Sequence, residues 1–295
     1  MTTWPVTTWI DVLIAIAAVI LAPLVGGLLY GLDRKVSARM QNRMGPPIEQ
    51  PFYDFFKLWG KSRVVANKAQ LLYVYLYLVA VMASLFLLFL RQDLLMIIVV
   101  LAVGSIAFIM GGFSVKSPYS QIGSQREIIQ LMAYEPILIL TAFSAFSITG
   151  SFLVESVRQH GEPLLFSLPL VLLAMLPVLG IKLRKSPFDL SSSSHAHQEL
   201  VRGIMTEYSG RYLALIELTH WYELVLVLGF ISLFWATNLA LGVILALVCY
   251  FLVVVADNIA ARMTWSWMVK FTWSAGIGLI AVNLVFLWAR SFLQL

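Results

Sequence analysis

Cysteine and charge are both scarce in this sequence. Cys249 is the one cysteine among 295 residues. That excludes a disulfide framework, and it excludes any zinc, iron–sulfur or nickel centre ligated by cysteines of this chain alone, since such centres take about four ligands. Metal redox chemistry, if the protein serves it, belongs to partner chains. Histidine numbers four. His195 and His197 stand at i, i+2, on opposite sides of a helix or on one face of a strand, with no cysteine nearby, and no metal site is expected there. Residues 111–117, GGFSVKS, lack the spacing of a phosphate-binding loop, and no strand precedes them. A nucleotide site is not expected. Asp, Glu, Lys and Arg make 12% of the chain, against roughly 25% in an ordinary soluble domain. Hydrophobic residues make 60%, which leaves too little polar surface to coat a water-soluble globule, so the surplus faces lipid. A soluble enzyme is excluded.

What the chain has in quantity is long apolar runs. A bilayer core about 30 Å thick takes about 20 apolar residues as a helix. Eight runs qualify, at approximately 10–32, 71–90, 94–113, 127–149, 164–183, 212–235, 239–256 and 271–293. The fourth carries Glu127 and Glu135, and the sixth carries Glu217 and His220; ionisable groups inside a span are costly, so these two runs are the informative ones. Of the 20 Lys and Arg, all but Arg91, Arg158 and Arg290 fall in the connections after odd-numbered spans. Cytoplasmic enrichment of Lys and Arg then predicts inner loops at about 33–69, 114–126, 184–211 and 257–270, with both termini on the non-cytoplasmic side of the cell's inner (plasma) membrane. The first span has no basic segment before it and is expected to be retained rather than cleaved as a signal peptide. The fold expected is all-α: a single polytopic membrane domain over 1–295, with eight transmembrane helices and amphipathic interfacial helices in the cytoplasmic loops.

Three polar regions carry the chemistry. In residues 39–61, RMQNRMGPPIEQPFYDFFKLWGK, the Gly-Pro-Pro core breaks any helix. A new helix starts near Pro51, with Phe52, Phe55, Phe56 and Trp59 at i, i+3, i+4 and i+7 opposite Asp54, Lys57 and Lys61. Such a helix lies at the membrane surface, either as a lipid anchor or as a docking face for a cytoplasmic partner. In the fourth span Arg126, Gln130 and Tyr134 make a polar stripe that cannot face lipid. Pro136 removes a backbone hydrogen bond beside Glu135 and frees a carbonyl one turn earlier for a side chain or water. A carboxylate there costs about 2.5–3.5 kcal/mol on insertion scales, which favours a step on a proton path over simple packing.

The loop 185–210 is the most polar stretch of the chain. Pro187 ends the fifth span, Glu199 and Arg202 at i+3 can pair on a short helix, and Glu207 stands at the approach to the sixth span. Within that span Glu217, His220 and Glu223 step by three. They form either a histidine satisfied between two acids or a ridge of groups titrating near neutral pH and passing protons. Asp257 ends the seventh span and either joins this path or pairs with a nearby base such as Arg262.

Five stretches, in this order, resemble the membrane subunit called subunit 1, or H, of respiratory complex I and its relatives in membrane-bound nickel–iron hydrogenases: DRKVSARMQNRMGP (33–46), QREIIQLMAYE (125–135), SPFDL (186–190), QELVRG with TEYSG (198–210), and more weakly ARMTWSWMVKFTW (261–273). The resemblance covers nearly the whole chain. It implies eight transmembrane helices and a place in a large complex, holding a hydrophilic redox arm against antiporter-like pumping subunits. In complex I the loop after the fifth span carries an acidic Glu-Ala-Glu-Ser-Glu run before Leu-Val; here SSSSHAHQELV keeps only Glu199, and His220 stands about where the quinone enzymes place a further glutamate. The stretch SPFDLSSSSHAHQELV with ELTHWYE (217–223) is similar to the Ech-type and carbon-monoxide-induced energy-converting hydrogenases, which pass electrons from ferredoxin to protons without quinone.

Carried onto matching positions, the resemblance implies an acidic relay of Glu135, Glu199, Glu207 and Glu217, to which the spacing above adds His220, Glu223 and Asp257. It implies a seat for partner subunits on Arg34, Lys35, Arg39, Arg43, Lys57 and Lys61, and on Lys185, Asp189, His195, His197 and Arg202. The expected function is the membrane anchor and ion-translocation coupling subunit of a ferredoxin-linked energy-converting nickel–iron hydrogenase, with no catalytic residue, cofactor or metal of its own. The nickel–iron centre and iron–sulfur clusters are expected in partners: hydrogenase large and small subunits, an iron–sulfur subunit and an antiporter-like membrane subunit. Lipid surrounds the chain, and no nucleic acid is involved. The alternatives are the quinone-site subunit of a complex I-like NADH/ferredoxin:quinone oxidoreductase and, from another class, a stand-alone cation-coupled secondary transporter.

Overall fold

A computed structural model describes residues 9–192 and 200–292. Its helices are α1 (Trp9–Met40), α2 (Gln50–Gly60), α3 (Lys68–Phe89), α4 (Leu94–Phe113), α5 (Pro118–Thr149), α6 (Val154–Gln159), α7 (Leu164–Ser167), α8 (Pro169–Lys182), α9 (Gly210–Ser232), α10 (Leu239–Ile259), α11 (Trp265–Phe271) and α12 (Gly278–Phe292), the last two joined by a π-helical turn at Thr272–Ile277. Among the described residues seven helices are long and apolar enough to cross a bilayer. The chain is a multi-pass membrane protein. Asn67, Asp93 and Asn238 start α3, α4 and α10 by accepting the first free amides on their side chains.

The fifth expected span, 164–183, takes a different form. Leu168 leaves helical geometry (φ −123°, ψ 46°), and Pro169 has no amide with which to continue the ladder. The run splits into α7 and a 14-residue α8, which at 1.5 Å per residue is only about 21 Å long. Among the described residues seven helices of spanning length therefore stand beside one shorter apolar helix, Pro169–Lys182. Asn283 on α12 bridges the break: its amide donates to the Ser167 carbonyl at 2.8 Å and its oxygen accepts from the Leu170 amide at 3.0 Å.

Because α8 stops early, the chain after it runs inside the protein. Phe188 through Ser192 are buried, an arrangement tolerated at membrane depth only where protein satisfies the backbone. Here the Asp189 amide donates to the Met263 carbonyl at 3.2 Å and the Met263 amide to the Pro187 carbonyl at 2.7 Å.

Two polar faces bound the bundle. On one, Arg91 meets Asp11 at 3.6 Å and Glu155 at 3.0 Å. On the other, Arg34 meets Asp54 at 3.0 Å, tying α1 to the surface helix α2. That helix begins near Pro51 as its spacing requires, lays Phe52 and Phe55 on Trp221 of α9 (5.3 and 5.8 Å between ring centroids) and leaves Tyr53 and Phe56 exposed. Gly31 permits the close approach, since a Cβ there would collide with the Ile48 carbonyl. The core lies among α3, α4, α5, α8 and α9, whereas Ile20 and Leu24 on α1, Phe251 on α10 and Phe286 on α12 are exposed, as lipid-facing residues are.

The carbonyl freed by Pro136 is that of Met132. The Trp273 indole N–H, presented by the π-helical turn, donates to it at 3.1 Å.

Candidate functional site

The site begins at an open cavity of about 910 Å³ on the Arg34 face, walled by the end of α1, by α2, by the segment after α8, by α9 and by the end of α10. Seven Lys or Arg and four Asp or Glu line it, so it is a basic cavity. Lys185 sits in its wall with Asp33 at 2.6 Å and Asp257 at 3.1 Å. The Ser186 amide donates to the other Asp257 oxygen at 2.8 Å. Burial opposes the charge on Lys185, yet the two carboxylates outweigh it and hold its pKa above the ordinary lysine range.

An inner chamber of about 110 Å³ shares Tyr30, Lys185, Arg202, Glu217 and Trp221 with the outer cavity. It has room for several waters. Glu217 therefore stands where the two spaces meet. His220, one turn further along α9, places Nδ1 3.9 Å from Glu217, and its Nε2 is buried with no hydrogen-bond partner among the described residues. The imidazole lies edge-on to Tyr77 and Phe108 at 6.3 and 6.2 Å. Arg184 lies over the Phe108 ring at 5.2 Å, bonds Ser192 at 2.6 Å and pairs with Glu127 at 3.8 Å, while the Ser191 hydroxyl donates to Glu127.

The deepest group is Lys182, the last residue of α8. Its ammonium is 3.2 Å from Glu223, donates to Ser105 at 3.2 Å and lies 4.4 Å from the centroid of the Tyr134 ring. Ser105 and Tyr134 hydrogen bond at 3.0 Å. Glu135 follows Tyr134 directly, and its Oε2 is buried without a partner among the described residues. Measured from Gly210, Glu217 and Glu223 lie roughly 10 and 20 Å along α9, so the polar groups are graded in depth.

The structure thus brings Glu217 and His220 together at the inner chamber and Glu223 to Lys182 in its wall, with Glu135 next to Tyr134 beside that pair. Asp257 is not among them: it braces Lys185 in the outer wall. Glu207 is half-buried and lines neither cavity. Glu199, His195 and His197 lie outside the described residues. Of the residues expected to meet partners, Arg34, Arg43, Lys57, Lys61 and Arg202 line the outer cavity, Arg39 is exposed and Lys35 half-buried. Lys185 lines that cavity as well but is held there by Asp33 and Asp257, whereas Asp189 is buried and pairs with Arg126 at 2.6 Å; the shortness of α8 draws the segment that carries them inward. The stripe Arg126, Gln130, Tyr134 does face inward, through Asp189, a buried Gln130 and Ser105.

Sequence reasoning missed Lys182, Arg184, Ser105, Asp33 and Glu127 as members of the site. The signal for the first two was Pro169, five residues into the fifth apolar run, which shortens that helix and pulls its basic end inside. Asp33 follows the first run immediately and reads as loop, whereas α1 continues through it to Met40. Among the described residues no group of acids, histidines or cysteine could hold a metal ion.

The chain matches known proteins along nearly its whole length. "Hydrogenase-4 component C" of Escherichia coli (strain K12) is 29% identical, with 93% of this chain and 95% of that one covered. "Formate hydrogenlyase subunit 4" of the same organism is 29% identical over 86% of this chain and 91% of its own. Among solved structures, a chain of the membrane-bound sulfane sulfur reductase, an archaeal respiratory membrane complex, superposes with a TM-score of 0.84 at 25% identity, covering 94% of this chain and 99% of that one. The NADH dehydrogenase family pattern matches residues 12–288, and with that span covered the chain belongs to this family, the subunit 1 or H family of complex I.

Proposed function

We propose that this chain is the membrane anchor and ion-translocation coupling subunit of a ferredoxin-linked energy-converting nickel–iron hydrogenase. The observation that carries the reading is the graded series of buried and half-buried titratable groups, from the basic outer cavity through Glu217 and His220 to Lys182, Glu223 and Glu135. Intramembrane acids at this density are expensive unless they are used. Relatives named for hydrogenase complexes support the class of partner.

Redox work in hydrophilic partners, seated on the Arg34–Lys61 and Lys185–Arg202 segments, changes the charge at the mouth of the outer cavity. The acids answer by taking up or releasing protons, with Glu199 and Glu207 on the stretch leading into α9. In this arrangement the outer cavity faces the cytoplasm, both termini lie on the other side, and an antiporter-like membrane subunit receives the output.

The test is the set of proteins that copurify with the chain. A large subunit with two paired cysteine motifs for nickel decides for the hydrogenase. Glu135→Gln or Glu207→Gln should then abolish ion pumping while partly sparing hydrogen evolution, and full-rate pumping in both variants would sink the relay. A second reading, a quinone-site subunit, is favoured by the volume of the outer cavity with Phe55 and Trp221 in its wall. Flavin- and NADH-binding partners, or inhibition by quinone-site blockers, would decide for it.

A further inference from the structure

The deepest part of the path holds more acid than base. Lys182 and Glu223 are 6% and 5% exposed and 3.2 Å apart. Glu135 directly follows Tyr134, whose ring centroid is 4.4 Å from the Lys182 ammonium, and its Oε2 is buried without a partner among the described residues. The other nearby base, Arg184, is engaged by Glu127 and Ser192. Two carboxylates against one ammonium would leave an uncompensated charge inside the bilayer, so one of the two acids carries a proton. Which one is set by where the lysine sits. In the arrangement seen, Lys182 stands at Glu223.

We propose that Lys182 is a two-position charge, paired with Glu223 in this structure and with Glu135 in a second state of the protein. The ring of Tyr134, 4.4 Å from Nζ, adjoins Glu135 in the chain and offers the ammonium a favourable surface. The flexible four-carbon stem makes the move a change of rotamer with no helix displaced. When Lys182 leaves Glu223 for Glu135, Oε2 of Glu135 releases its proton to the wetted path and the Glu223 carboxylate takes one up. The ammonium keeps its own protons, and the site holds one cation, one carboxylate and one carboxylic acid before and after. Motion of one side chain is thereby converted into a proton released at one end and one accepted at the other. The use of this switch rests on the relay reading above; its two positions are testable without ion transport.

The test is infrared difference spectroscopy on the full chain, with its copurifying subunits, in lipid nanodiscs. The protonated-carboxyl band of Glu135 is assigned by its absence in Glu135→Gln. It should be present in the wild type, at least halved in Glu223→Gln because the lysine has moved, and restored in Lys182→Gln/Glu223→Gln. An unchanged band in Glu223→Gln overturns the proposal. So does a Glu223→Gln chain that fails to fold, because a lysine with a second partner tolerates losing the first. Pumping measured on the same variants separates the two readings: bands that behave as expected in a protein that moves no ions would remove the relay and leave the two positions standing.

Discussion

Replacing Lys185 with methionine tests the bracing of the outer wall. The change leaves Asp33 and Asp257, with side chains 2% and 8% exposed, facing one another without a base. Stripping one partner from a buried pair costs about 3–5 kcal/mol. Two acids lose their base here, but Asp257 keeps the Ser186 amide at 2.8 Å and Asp33 keeps the Ser37 hydroxyl at 3.4 Å, and one acid can take up a proton instead of staying charged. The expected loss is therefore that of one uncompensated carboxylate, about 3–5 kcal/mol. At about 2–4 °C per kcal/mol for a chain of this size, the unfolding midpoint drops by about 6–20 °C, read from tryptophan fluorescence of the reconstituted protein. The pH sign follows from the raised pKa of Lys185. In the wild type its contribution is fully present below the ordinary lysine value, about 10.4, and is lost only as pH rises through the higher native value. Lys185→Met with both Asp33→Asn and Asp257→Asn removes the acids and the base together and should recover much of the loss. A loss under about 1 kcal/mol, or a triple variant no better than the single, would refute the reasoning.

Three further outcomes are expected. Trp273→Phe keeps an aromatic ring but leaves the Met132 carbonyl without its donor, at a cost of about 0.5–1.5 kcal/mol in the same unfolding assay; no loss would mean that the latch across the gap left by Pro136 is incidental. Gly31→Ala drives a Cβ into the Ile48 carbonyl, so the connection 41–49 should be cut faster by protease; an unchanged rate would remove the close approach as the reason for glycine. Glu217→Gln should lower ion translocation by about a hundredfold or more, whereas Asp257→Asn, outside the graded line, should cost stability and leave the rate near wild type. Equal effects of the two on rate would dissolve the distinction between path and brace.

The helical content, the membrane setting and the surface helix near Pro51 were legible because each depends on local composition: apolar runs of about 20 residues, and aromatics spaced at one helical face. The inward turn of Arg126, Gln130 and Tyr134 was legible too, since a polar stripe has no other place to go. The fifth span was not, because hydropathy averages over Leu168 and Pro169 and does not see that a missing amide cuts the helix there.

The inward placement of Lys182 and Arg184 follows from that cut. Sequence by itself determined which residues are too expensive to face lipid: Glu135, Glu217, His220 and Glu223 are costly wherever the helices stand. Only tertiary structure decided their partners. It placed Lys182 against Glu223, gave Lys185 two carboxylate partners and Asp189 the guanidinium of Arg126, and set Asp257 beside Lys185 rather than beside Glu217, His220 and Glu223. The cost of burying a charge belongs to the residue and its span, whereas compensation of that charge depends on distances of a few ångströms between segments as far apart in the chain as Asp33 and Asp257, and those exist only once the helices have packed.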